Sequence, residues 1–168
     1  MRCPACGQTA AIDAGADGCP ACRAAGRTEA MLVDYPEPAP YPGGAARGVG
    51  IWANWGDWLP AVPDPHRVTL GEGNTPLLRV EALCVLTGIP NLYLKMEAQN
   101  PSGAHKDRFH AVITAAAAAL GRRGVVAYST GNHGLAMTAY AAAHGLASVV
   151  VANERMPDLL QRAIRFAG

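Results

Sequence analysis

The sequence predicts an α/β fold in which parallel-sheet βαβ units follow a small metal-knuckle segment. Beyond residue 66, short β-branched runs alternate with alanine-rich stretches of helical length, the pattern of strands joined by crossover helices. Near the N-terminus stand two Cys-x-x-Cys pairs. Between these regions lies a stretch dense in proline and glycine, which neither a helix nor a central strand can contain.

Composition narrows the function classes. With 50% of its 168 residues apolar, the chain can bury a core. Its 14 Lys and Arg against 13 Asp and Glu leave a net charge of +1, so no nucleic-acid partner is expected. The densest apolar run, Ala115 to Ala119, is flanked too closely by polar residues for the 18 or so residues of a membrane span. No apolar signal-peptide core follows Met1-Arg2-Cys3-Pro4, so the expected compartment is the reducing cytoplasm.

The five cysteines therefore need an account other than disulfides. Cys3-Pro4-Ala5-Cys6 and Cys19-Pro20-Ala21-Cys22 stand twelve residues apart, close to the spacing of a four-thiolate structural Zn²⁺ site. Gly7 and Gly18 suit the tight turns that bring two sulfurs to one metal edge. A redox dithiol is the rival, but it needs one pair and a thioredoxin-like βαβ context. Cys84, in the mostly apolar stretch Val80 to Leu86, reads as a small core residue.

Residues 1–28 are too few to fold alone, so the metal is expected to stabilise this zinc-ribbon-like segment. Residues 29–50, with Pro36, Pro38, Pro40, Pro42, Gly43, Gly44 and Gly48, read as an extended linker. From Ile51 to Leu59, Ile51, Trp55 and Trp58 follow helical spacing, Trp52, Trp55 and Trp58 predict a packing face, and Pro60 ends the run. A strand over Asn91 to Met96, a helix over Arg108 to Leu120, and a strand over Val125 to Tyr128 come next. A helix over Leu135 to His144, a strand over Ala147 to Val151, and a helix over Asp158 to Ala167 complete the chain. A closing helix with no strand to lead into reads as a sheet cut short, so truncation at the C-terminus is expected.

Ligands of open α/β sheets bind in the loops between strand ends and helices. One such loop runs from Asn100 to Arg108. The other, Ser129-Thr130-Gly131-Asn132-His133-Gly134, opens a helix whose N–H groups suit an anion. Lys106 is one of only two lysines, the other being Lys95. An amine opening a helix, where the dipole opposes a cation, suits condensation with an aldehyde. The plainer alternative is an ion pair with Asp107 on a solvated helix start.

Three segments in order, Leu70-Gly71-Glu72-Gly73-Asn74-Thr75-Pro76-Leu77, Leu92 to Glu97 continuing through Asn100 to Arg108, and Ser129 to Asn132, resemble the pyridoxal-phosphate enzymes of fold type II, and among them the threonine synthases. The resemblance covers residues 51–168 and implies the N-terminal part of a catalytic region like the tryptophan synthase beta chain. It implies that Lys106 carries pyridoxal 5'-phosphate and later moves the Cα proton. It further implies that Asn132 bonds the phenolic oxygen of the cofactor, and that Ser129, Thr130 and Gly131 hold the substrate carboxylate. His133 is a candidate substrate contact or helix cap. The implied reaction converts O-phosphohomoserine and water to threonine and phosphate. The implied partner is a small amino-acid substrate, with no membrane partner, and the full-length enzyme is compatible with a homo-oligomer.

Two positions depart from the threonine synthase pattern. His105 replaces the usual Phe before the lysine and is expected to pack as a neutral ring. His133 follows Asn132, as in threonine and serine dehydratases, which keeps a dehydratase or a cysteine-synthase-like enzyme open. His66, His110 and His144 read as ordinary surface or helix residues. The family's downstream phosphate loop has no counterpart here, so weak cofactor binding and an inactive fragment are expected. From another class, a zinc-ribbon binding module on a non-catalytic α/β scaffold also stays open.

Overall fold

The computed structural model describes residues 1–15, 17–35 and 47–168. They divide between two compact units, Met1–Tyr41 and Pro42–Gly168. Of the expected linker over 29–50, residues 36–46 lie outside the described residues.

In the first unit Arg2 bridges to both Thr9 and Leu32, so the start of the chain is the middle of a small three-stretch framework. Two short helices follow, α1 over Ile12–Gly15 and α2 over Pro20–Ala24. Pro20 opens α2, where a missing N–H costs nothing. The core is small: Cys3, Cys19, Cys22 and Met31 are buried, with Met1 and Ala10 packed against them.

The second unit begins with α3, Gly50–Trp55, continued by a 3₁₀ turn over Gly56–Trp58. Its Ile51 joins Ala111 and Tyr140 in a buried cluster ringed by Trp52, Trp55, Leu59 and Val112, so the expected packing face is present at Trp52 and Trp55. Next come β1 (Leu77–Arg79), α4 (Glu81–Thr87), β2 (Tyr93–Lys95) and α5 (Lys106–Ala119). Last are β3 (Gly124–Tyr128), α6 (Asn132–Ala143), β4 (Ala147–Val151) and α7 (Asp158–Ala167).

The βαβ expectation holds for β3-α6-β4, whose strands pair in parallel from Gly124 with Ala147 to Tyr128 with Val151. It fails for the strand expected over Asn91 to Met96. That strand, β2, pairs antiparallel with β1, Leu77 opposite Lys95, in a separate two-stranded sheet. Three residues are too few for a two-residue period to show, which is why β1 was not anticipated. The helix α4 was likewise hidden inside an apolar stretch; it buries Cys84, whose sulfur meets the Leu92 N–H at 3.5 Å.

The helix α6 is the centre of the unit, packed against α5, α7 and both parallel strands. Small residues permit this: Ala111 and Ala115 of α5 and Ala136 and Ala141 of α6 have no exposed surface. At Gly134 a Cβ would stand 2.9 Å from Val150 Cγ1 and 3.3 Å from Ile164 Cδ1, so a side chain there would push α6 off β4 and α7. The parallel sheet is covered on one side only. Val126, Tyr128, Val149 and Val151 are all exposed on the other, whereas alternation leaves Ala127 buried. Among the described residues no helix is long and apolar enough to cross a membrane.

Candidate functional site

Glu72, between the two glycines of the Gly-Glu-Gly-Asn-Thr motif, has no exposed surface. A buried carboxylate needs donors, and five contacts supply them. Ile51 N donates at 3.1 Å, Leu70 N at 3.0 Å, Thr69 Oγ1 to both oxygens at 3.0 and 2.9 Å, and Tyr140 Oη at 2.8 Å. One side chain thereby ties the motif to α3 and α6. The next residue, Gly73, has φ +85°, and a Cβ there would meet Ile51 Cγ2 at 3.1 Å and Arg108 Nη1 at 3.3 Å. Only glycine takes that backbone without strain.

The motif also holds the lysine loop. Gly73 N donates to the buried Asn100 Oδ1 at 2.9 Å, and Asn100 Nδ2 donates to Glu97 at 2.8 and 2.9 Å. Arg108 clasps both oxygens of Glu97, Nε to Oε2 and Nη2 to Oε1 at 2.8 Å each, and its Nη2 reaches Thr75 Oγ1 at 3.0 Å. Arg108 beside it, with help from Thr75 and Asn100, holds the Glu97 carboxyl down to about 2. Lys95 Nζ donates to the Thr75 carbonyl. Asp107 is fully buried and turned to Ser102, whose N–H donates at 2.7 Å and whose hydroxyl also donates to it. Burial raises the Asp107 pKa against those hydrogen bonds.

Lys106 therefore does not pair with Asp107. It opens α5, half-buried, and among the described residues its amine makes no hydrogen bond or ion pair. Its predecessor His105, expected to pack, is instead exposed.

In the second loop the Ser129 hydroxyl is already engaged: it accepts from Gly131 N at 3.1 Å and Gly134 N at 3.0 Å, shaping the turn into α6. Ser129 is 8% exposed. Thr130 and Asn132 are exposed, and their side chains make no hydrogen bond among the described residues. A Cβ at Gly131 would stand in open space, so the loop leaves room beside its backbone.

A contact that sequence reasoning missed joins the two loops. His110, one helical turn beyond Lys106, is 2% exposed rather than an ordinary surface residue. Its Nε2 lies 3.0 Å from Nδ1 of His133. The Phe109 ring stands edge-on to His110 with centroids 4.9 Å apart. Burial, then the charges of His133 and Lys106, lower the His110 pKa to about 4. A lone histidine in an alanine-rich helix carries no periodic signal, so only the packing of α5 on α6 reveals it. The cleft of about 470 Å³ found elsewhere, between α6, β4 and α7, is lined by Thr138, Asn153, Glu154 and Arg165 among others and includes none of these groups.

In the first unit the sulfurs of Cys3, Cys6, Cys19 and Cys22 all lie within 4.8 Å of one another. Cys3 and Cys22 stand 3.8 Å apart and Cys6 and Cys19 3.6 Å. A tetrahedron with Zn–S arms of about 2.3 Å has edges of about 3.8 Å, so the donor set fits that ion. Gly7 and Gly18 take the positive φ expected of the knuckles, +74° and +94°. The Cys22 N–H in α2 lowers the Cys19 pKa to about 7, whereas burial pushes the Cys22 thiol up to about 12.

Comparison with known proteins places this geometry in context. The model of a family described as pyridoxal-phosphate dependent enzyme matches residues 68–168. The chain is similar to a threonine synthase of Halalkalibacterium halodurans, 39% identical over 105 residues, covering 62% of this chain and 29% of that one. It is similar to a threonine synthase of Mycobacterium leprae, 40% identical over 102 residues, covering 61% and 28%. With a threonine synthase of Methanocaldococcus jannaschii it shares 34% identity over 157 residues, covering 92% of this chain and 38% of that one. The matched regions thus span 28% to 38% of the length of these relatives.

Proposed function

The chain belongs to the pyridoxal-phosphate dependent enzymes, and from that premise we propose that it carries the cofactor lysine, Lys106, of a threonine synthase-like lyase acting on O-phosphohomoserine and water. The observation that carries this reading is the Lys106 amine, uncommitted among the described residues, in a loop where Asn100, Ser102, Asp107 and Arg108 are held by one another, by Glu97 or by the motif. The threonine synthase relatives support the substrate class.

The residues present fit pyridoxal 5'-phosphate. When bound, it supplies an aldehyde and a ring that draws charge from the substrate Cα. Lys106 would hold its aldehyde carbon and would be the base that moves the substrate Cα proton. Asn132 offers its free amide to the phenolic oxygen. Thr130 and the Gly131 backbone hold the substrate carboxylate at the start of α6, with Ser129 shaping the loop from behind and His133 beside them. We further propose that Cys3, Cys6, Cys19 and Cys22 hold structural Zn²⁺, in a zinc-ribbon-like segment over 1–28. The linker over 29–50 and the catalytic region over 51–168 complete the proposed organisation.

Because the chain has only two lysines, the test is direct. Incubation with pyridoxal phosphate, reduction with borohydride and peptide mass spectrometry should find the label on Lys106. Label on Lys95 alone, or on neither, overturns the reading in favour of a non-catalytic scaffold. Release of phosphate from O-phosphohomoserine, compared with turnover of threonine and of O-acetylserine, then separates the synthase from a dehydratase or a cysteine-synthase-like enzyme.

A further inference from the structure

We propose that His110 is a positioning residue that fixes His133 in its Nε2–H tautomer, so that the loop beside Asn132 presents an imidazole N–H donor. The use of that donor by substrate rests on the proposed function, but the tautomer itself does not.

Two arrangements satisfy the 3.0 Å contact between His110 Nε2 and His133 Nδ1. If His133 donates, His110 must keep its own proton on Nδ1. That nitrogen is buried and has no hydrogen-bond partner among the described residues, so an N–H would be left orphaned in the core. If His110 donates, Nδ1 carries only a lone pair. Orphaned buried N–H groups are rare and costly, and unfilled acceptors less so, which selects the second arrangement. His133 then receives at Nδ1 and carries its proton on Nε2, which makes no hydrogen bond among the described residues.

The charge state agrees. Burial, then the neighbouring His133 and Lys106, keep His110 uncharged at neutral pH, so it enters the contact as a neutral ring with a single N–H. The rings are also held in place: Phe109 lies edge-on to His110 and 6.0 Å from the His133 centroid. The donor is thus set before any ligand arrives, and preset donors serve a developing negative charge best.

The contact couples the start of α6, which carries His133, to α5, the helix that bears Lys106 and His110.

Nitrogen NMR of the full chain without added cofactor tests this. In the wild type, His133 Nε2 should show the protonated, pyrrole-like signal and Nδ1 the unprotonated, pyridine-like one. His110→Met should let His133 relax to a mixture of tautomers. His110→Gln, whose amide N–H can still donate to Nδ1, should restore the wild-type pattern. A protonated Nδ1 at His133 in the wild type overturns the proposal, even if both variants fail to fold. So does a His133 spectrum that is the same in His110→Met and wild type. Borohydride labelling of Lys106 is independent of these spectra, so failure here and failure of the proposed function are distinguishable.

Discussion

Tyr140 Oη donates a 2.8 Å hydrogen bond to Glu72 Oε2, joining positions 68 apart in sequence inside the core. Neither group has exposed surface. Burial first, and then the carboxylate, raise the Tyr140 pKa, so the phenol stays a donor at any pH at which the protein folds. Through this bond, α6 is anchored to the same carboxylate that organises the Gly-Glu-Gly motif.

Tyr140→Phe removes one of several donors and keeps the ring, and should cost about 1–2 kcal/mol. Glu72→Ala leaves the Tyr140, Thr69, Ile51 and Leu70 donors without a common acceptor and should cost at least about 3 kcal/mol. Urea unfolding followed by circular dichroism distinguishes them; equal losses would show that the carboxylate is not the hub.

Acid should destabilise the fold in two stages. His110 binds its proton at about 4 in the folded state against 6.5 when free, so between those values the unfolded chain holds a proton that the folded one lacks. Stability therefore falls as pH drops through this window, by on the order of 3 kcal/mol. Glu97, at about 2 folded against 4.5, contributes stability that is present above 4.5 and lost as pH falls towards 2. His110→Gln should reduce the upper window to what His144, whose pKa burial also lowers, contributes, and leave the lower one unchanged in a pH series of melting temperatures.

Gly73→Ala must hold φ near +85° and crowd Ile51 and Arg108. A loss of about 1–3 kcal/mol is expected, with weakened cofactor labelling because Arg108 directly follows the helix start that carries Lys106. Thermal unfolding of the variant beside wild type measures it.

Asn132→Ala should change stability by no more than about 0.5 kcal/mol, since its side chain is exposed and makes no hydrogen bond among the described residues. It should still weaken pyridoxal phosphate binding, read from the absorbance of the bound cofactor. Equal affinity for variant and wild type would remove Asn132 from the cofactor site.

Purified chain should contain one zinc ion by elemental analysis, and a chelator should abolish the fold of the N-terminal unit. Its core consists of the cysteines themselves and Met31, which leaves little else to hold it together. Cys22→Ser should lower zinc content; undiminished zinc in that variant would place the metal elsewhere.

How far the sequence reveals all this depends on length and repetition. The strand Ala147–Val151 and the helix Asp158–Ala167 have the bounds their pattern predicts, because three consecutive valines mark a strand and a strongly amphipathic decapeptide carries a clear helical period. The helices α5 and α6 begin two and three residues earlier than expected, at Lys106 and Asn132. Neither start has a side-chain cap to mark it, and the polar residues there look like loop. For the site, the lysine and the Ser-Thr-Gly-Asn loop stand out by rarity and position. Glu72, Asp107 and His110 do not: a buried polar side chain is indistinguishable in sequence from a solvated one until its partners, Tyr140, Ser102 and His133, are brought to it by the fold.

The bare side of the β3-β4 sheet bears on how the polypeptide behaves in a test tube. Tyr128, Val126, Val149 and Val151 form an exposed apolar face on a sheet whose outer edges are unpaired among the described residues, which is a template for sticking to other molecules. Concentrated preparations of this chain by itself should cloud before they melt, and recoverable yield will be governed by colloidal behaviour rather than by folding free energy.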